Sequence, residues 1–132
     1  MQIRSEQTLI QCSDEKIYQL VSNCSHFGKY LPPDITDFEA TEDYCKFSMK
    51  NIADFKIEIV QKNPFNLVRF QALNDKNIPI TLSIHIEKDS SNSKLWIDLN
   101  AEIPFILQGM VKSPLQKFVD ILSERIKMES EK

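Results

Sequence analysis

The sequence predicts an α+β protein: a curved antiparallel sheet of about seven strands wrapped around a long C-terminal helix, with two short helices after the first strand. Three observations lead there. Between residues 35 and 103, apolar and polar residues alternate at period two, the pattern of strands with one buried face. The only long amphipathic helical pattern lies at the end of the chain. A sheet with one apolar face needs a cover, and that last helix is the only element long enough to supply it.

The elements follow in order. Residues 1–11 alternate weakly, with Ile3, Ser5, Gln7 and Leu9 on one face of a first strand. Ser13 can cap a helix whose first turn holds Asp14 and Glu15, where the helix dipole favours anions. Lys16 stands where a capping box would carry Glu or Gln. Ile17, Leu20, Val21 and Cys24 fall on one helical face, and Phe27, Tyr30 and Leu31 continue the spacing in a second short piece. Pro32 and Pro33 end it. Six alternating runs follow, with Phe38, then Phe47 and Met49, then Phe55 and Ile57, then Phe70 and Ala72, then Ile78 to Ile86, then Leu95 to Ile103 facing inward. Short polar turns join them, so neighbouring runs pair as antiparallel hairpins. A helix over roughly 105–128 closes the chain. Its apolar stripe is Val111, Leu115, Phe118, Val119, Leu122 and Ile126. Ser113, Pro114 and Gln116 read as a helix start, so 104–111 is expected as earlier turns, kinked at Pro114.

A chain of 132 residues suits one domain, 1–132. Its 42% hydrophobic and 27% charged residues exclude disorder as the main state. Sixteen basic against 19 acidic residues leave a net charge of −3, which argues against nucleic acid as a partner. No apolar run reaches the ~18 residues of a membrane-spanning helix. The N-terminus lacks the apolar core of a signal peptide. Three cysteines cannot make a full disulfide framework. A cytoplasmic setting is the expectation.

No catalytic or metal-binding residues and no cofactor are expected. His85 lies on the polar face of its strand and His26 in the short helix pair; both read as solvated. Cys12, Cys24 and Cys45 lack zinc-site spacing and read as small buried hydrophobes. Asp37 with Glu39, and Asp98 with Glu102, sit on wet strand faces and read as solubilising charges. The inward residues Phe38, Phe47, Met49, Phe55, Phe70, Ile84, Leu99 and Phe118, with Phe105 and Met110 from the last connection, are the expected lining of a cleft between sheet and helix. Ser5 and Gln7 are its expected polar groups. Segment 103–111 is apolar over too wide an arc for one buried face. It reads either as a helix start buried against strand ends or a second subunit, or as a mobile gate or membrane-touching lip.

The opening strand, SDEKIYQLVS (13–22), the pattern F-x-x-Y-L-P within SHFGKYLPP (25–33), the strand meander and the final helix together resemble the START-related superfamily over residues 2–127. That group is also called SRPBCC or polyketide-cyclase-like, and it includes the birch-pollen allergen. The resemblance implies a helix-grip fold whose cleft takes hydrophobic molecules. Members include lipid and polyprenyl carriers, cyclases and dehydratases, and chaperone activators. The glycine-rich loop of the plant members is replaced here by ATEDY (40–44), and no catalytic residue carries over. The expected function is binding or carriage of an apolar or amphipathic small molecule (a lipid, prenyl or aromatic compound). The alternatives are a cyclase- or dehydratase-type enzyme, and a protein-interaction module using 103–111 with Trp96. A homodimer and transient membrane contact stay open.

Overall fold

The structure is a computed structural model that describes residues 1–132. Its element order is β1 (Gln2–Arg4), β2 (Thr8–Ile10), α1 (Asp14–Val21), a 3-10 helix (Cys24–Lys29), β3 (Ile35–Ala40), β4 (Tyr44–Met49), β5 (Ala53–Asn63), β6 (Leu67–Asn74), β7 (Ile80–Asp89), β8 (Asn92–Ala101) and α2 (Phe105–Ser130). All strand pairings are antiparallel, in the order β1-β8-β7-β6-β5-β4-β3, with β2 also on β8. The expected architecture is therefore the observed one, with eight strands because the first run is split in two.

Local chemistry explains the elements. Ser13 caps α1, its hydroxyl accepting from the Lys16 amide at 3.2 Å, and Asn23 caps the 3-10 helix through the Ser25 amide at 3.0 Å. Asn51 and Asn77, in the turns β4–β5 and β6–β7, adopt left-handed backbone, which asparagine tolerates better than most residues. The inner sheet face carries one continuous apolar cluster with α1, the 3-10 helix and the second half of α2. α2 lies against β1, β2, β8 and α1. Gln116 Nε2 donates to the Arg4 carbonyl, Thr8 and Ser123 share a hydroxyl hydrogen bond, and Arg125 Nη1 donates to the Leu31 carbonyl.

Two expectations are corrected. The first strand does not keep one face from Ile3 to Leu9. The Ser5 amide donates to the Ile97 carbonyl at 2.9 Å, and the Ser5 hydroxyl accepts from the Ile97 amide at 2.8 Å. A side chain thus takes the place of a ladder carbonyl, the strand breaks, and the phase inverts. Ile10 is then buried while Gln7 and Leu9 are exposed. Phe38 is not an inward residue. Asp37 is left-handed (φ 56°) at a register shift in β3, and the Phe38 ring, 37% exposed, lies over Gly28 of the 3-10 helix. α2 begins at Phe105, as the expected span of roughly 105–128 has it, is capped by no side chain, and runs through Pro114, so the Ser113–Gln116 start signal lies inside the helix.

Candidate functional site

The inner face holds a small cavity near one end of the grip. Its walls are Phe47 and Met49 of β4, Phe55 and Ile57 of β5, Ala72 of β6, Ile80 and Leu82 of β7, Leu99 of β8, and Leu115 and Phe118 of α2. Every lining residue is hydrophobic, and the cavity measures about 20 Å³. The register explains its place. Ile57 stands opposite Ala72, and Ile80 opposite Ala101, so one row across the sheet carries two alanines. The short side chain of Ala72 leaves space beneath α2 that larger neighbours do not fill. Aromatic rings close it on one side. Phe47 lies 5.6 Å from Phe55 and stacks on Phe118 at 6.3 Å between ring centroids.

The cavity lies where the β4–β5 turn, the β6–β7 turn and the start of α2 gather. Here α2 is barely attached. Leu115 is its first buried residue, whereas Phe105 is 87% exposed, Ile106 89% and Met110 74%. Among residues 105–113, only Gln108 and Val111 are partly covered, along with a Gln108 Nε2 hydrogen bond to the Ile103 carbonyl. Pro114 has no amide hydrogen, so the helix lacks one backbone bond at the junction between this free stretch and the packed one. A methyl group built on Gly109 would meet nothing within 4 Å.

Of the residues expected to line a cleft, Phe47, Met49, Phe55, Leu99 and Phe118 come together here. Phe70 and Ile84 are fully buried elsewhere, Phe70 against Phe27 at 5.3 Å. Phe105 and Met110 point to solvent because their turns of α2 have no sheet beneath them. Ser5 is buried but engaged in the strand ladder, and Gln7 is exposed, so neither reaches the cavity. Ile57, Ala72, Ile80, Leu82 and Leu115 line it without having been singled out. Their inward facing was legible, but their depth along the strands was not.

Titratable groups gather on the opposite face. His85 stacks on Trp96 (5.1 Å, 5° between planes), and its Nε2 lies 3.2 Å from Asp98 Oδ2. Arg4 Nε donates to Asp98 Oδ1 at 2.6 Å. Burial holds His85 below its ordinary pKa, with Arg69 and Arg4 adding to the effect and Asp98 opposing it. These groups are separated from the cavity by the sheet itself. No group of three or more His, Cys, Asp or Glu side chains is placed to hold a metal ion, and no helix is long and apolar enough to cross a membrane.

No family model matches the chain, and no curated protein matches it in sequence. Solved structures do match in shape. A START superfamily protein from Mycobacterium smegmatis superposes with a TM-score of 0.71 at 12% identity, over 98% of this chain and 97% of the other. A protein from Thermus thermophilus gives 0.77 at 17%, over 98% and 97%. Truncated norcoclaurine synthase from Thalictrum flavum gives 0.74 at 12%, over 98% and 92%. At these identities the likeness is one of fold, and that fold is the START-related helix grip.

Proposed function

From a START-related helix grip that closes on a wholly apolar cavity, we propose that this protein binds or carries an apolar or amphipathic small molecule between sheet and α2. The observation that carries the reading is the lining: ten hydrophobic side chains, with no ionisable or hydrogen-bonding group among them. Such a site supplies burial, worth about 25 cal/mol per Å² of apolar surface, and no acid–base chemistry. That weighs against a cyclase or dehydratase, whose cleft would need a titratable group.

At about 20 Å³ the cavity is far below the ~300 Å³ of an ordinary small-molecule site. Binding therefore requires expansion. The first turns of α2 supply it in this reading, because 105–113 is held by little and meets the packed helix at Pro114. An outward swing hinged at Pro114 that carries the adjoining turn with it would lift Leu115 and Phe118, the two α2 residues of the lining, without breaking the sheet. The tail of the ligand would lie over Ala72, and any polar head would stay at the mouth.

A second reading rests on the exposure of Phe105, Ile106 and Met110. Three large apolar side chains on two helical turns form a surface that a protein partner or a second copy could cover. Thermal denaturation with a panel of fatty acids, prenyl quinones and flat aromatics separates the two readings. A ligand at a hundred times its Kd adds about 2.7 kcal/mol of stability. The ligand-binding reading predicts at least one stabilising compound, and loss of its effect in Ala72→Leu, which fills the cavity. A flat response across the panel contradicts it and favours the interaction surface.

A further inference from the structure

The start of α2 is an apolar tip followed by lysines and by no acid. Phe105, Ile106 and Met110 are 87%, 89% and 74% exposed. From 103 to 119 the chain has two charged residues, Lys112 and Lys117, and no Asp or Glu, within a protein whose net charge is −3. Both lysines are exposed. Lys112 follows Phe105 by seven positions and Lys117 follows Met110 by seven, so each stands two turns behind an exposed apolar residue on the same side of the helix. The acids on the outer side of α2 come later, at Asp120 and Glu124.

We propose that this tip docks the protein on an anionic lipid bilayer, entering obliquely with the start of α2 leading and without spanning it. The dimensions fit that occupant. Phe105 to Met110 rises about 7.5 Å along the helix axis, and an interfacial helix buries its apolar side chains by roughly 5–10 Å. Each lysine lies about 10 Å behind its apolar partner, so both ammonium groups reach the phosphates when the tip passes below them. The charges fix the tilt. Glu124 lies five full turns after Ile106, on the same side, and a helix lying flat would press it and Asp120 onto the lipid phosphates. Oblique entry keeps these carboxylates away from a surface whose field fades over about 8 Å. No side chain caps the first turn of α2, and phosphate and ester oxygens would serve its free amides as acceptors.

The same charges disfavour a second copy. A twofold contact through this stripe sets Lys112 and Lys117 against apolar side chains or their own equivalents, with no acid between 103 and 119 to pair them. An anionic bilayer supplies both the apolar depth and the counter-charge. Docking of this kind stands whether or not the cavity takes a ligand.

The test is co-sedimentation of the full chain with vesicles of phosphatidylcholine alone, or of phosphatidylcholine and phosphatidylglycerol in equal parts. Binding to the mixed vesicles should be roughly tenfold stronger or more, and should weaken as salt is added. Lys112→Gln with Lys117→Gln should remove that preference. Phe105→Ser with Ile106→Ser should weaken binding to the mixed vesicles by about tenfold or more. All four side chains are exposed, so the Tm of each variant should stay close to that of the parent. On mixed vesicles, amide exchange should slow at 105–110 and stay unchanged in β3 (Ile35–Ala40), which lies at the far edge of the sheet. No binding to mixed vesicles, equal binding to both compositions, or undiminished binding by the Phe105→Ser, Ile106→Ser variant would each overturn the proposal. So would a dimer in analytical ultracentrifugation that the same variant dissolves, since the surface would then belong to a second copy.

Discussion

The two ends of the grip are built on opposite principles. At the 3-10 helix end, Phe27, Tyr30, Phe70, Cys24 and Cys45 are all buried, the rings of Phe27 and Tyr30 meet at 5.7 Å, and Arg125 reaches the Leu31 carbonyl. At the α2 end, three large apolar side chains stand in solvent beside a small apolar cavity, and one side-chain hydrogen bond anchors the segment. The same sheet runs through both, so the strands do not make the difference. It arises in the covering elements. The short helices are bracketed by caps and prolines that force them onto the sheet. The first turns of α2 run past the strand ends, and among their large apolar side chains only Val111 packs against the core. One end is closed by packed rings, and the other stands largely in solvent.

Substitutions can break or sharpen this contrast. Phe27→Ala removes a fully buried ring from the closed end and should cost about 3–5 kcal/mol in denaturant unfolding. A cost below about 1 kcal/mol would show that the plug is not a true core.

A smaller effect is expected from alkali. Burial, with Glu129 adding to it, pushes the Tyr30 phenol up to about 12. In the unfolded chain the phenol ionises near an ordinary value of about 10. The contribution is present in full below about pH 10 and is lost as pH rises towards about 12, because the unfolded state releases its proton first; the loss is on the order of 2 kcal/mol. Tyr30→Phe should flatten that slope. An equal slope in the variant would remove Tyr30 from the account.

At the open end, Phe105→Ser and Met110→Ala should each change stability by less than about 0.5 kcal/mol, since neither side chain is buried. A loss of several kcal/mol at either position would mean that α2 is clamped there.

Much of the architecture was legible in the sequence, because period-two alternation and one long amphipathic helix admit few arrangements. The departures are places where a backbone detail overrides the pattern. Ser5 looked like the inward member of an alternating run, and it is buried, but its hydroxyl substitutes in the ladder and inverts the phase beyond it. Phe38 alternated correctly, yet the left-handed Asp37 before it turned the ring onto Gly28. The cavity was only half legible. Alternation tells which side chains face inward, so Phe47, Phe55 and Phe118 were found, but not how far along each strand the space lies. That depends on Ala72 and on the register that sets it beside Ile57. Segment 103–111 stood out as too apolar for one buried face, and most of it is indeed exposed, from Pro104 to Leu107 and at Gly109 and Met110.

The central claim is that the start of α2 opens while the rest of the grip holds, and amide hydrogen exchange tests it most directly. Residues 105–113 should exchange much faster than β7 (Ile80–Asp89) and β8 (Asn92–Ala101), and faster than 115–126 of the same helix. The boundary should fall at Pro114. Protection of 105–113 equal to that of the central strands would mean a rigid helix start, a cavity fixed at about 20 Å³, and no route for a ligand into the grip.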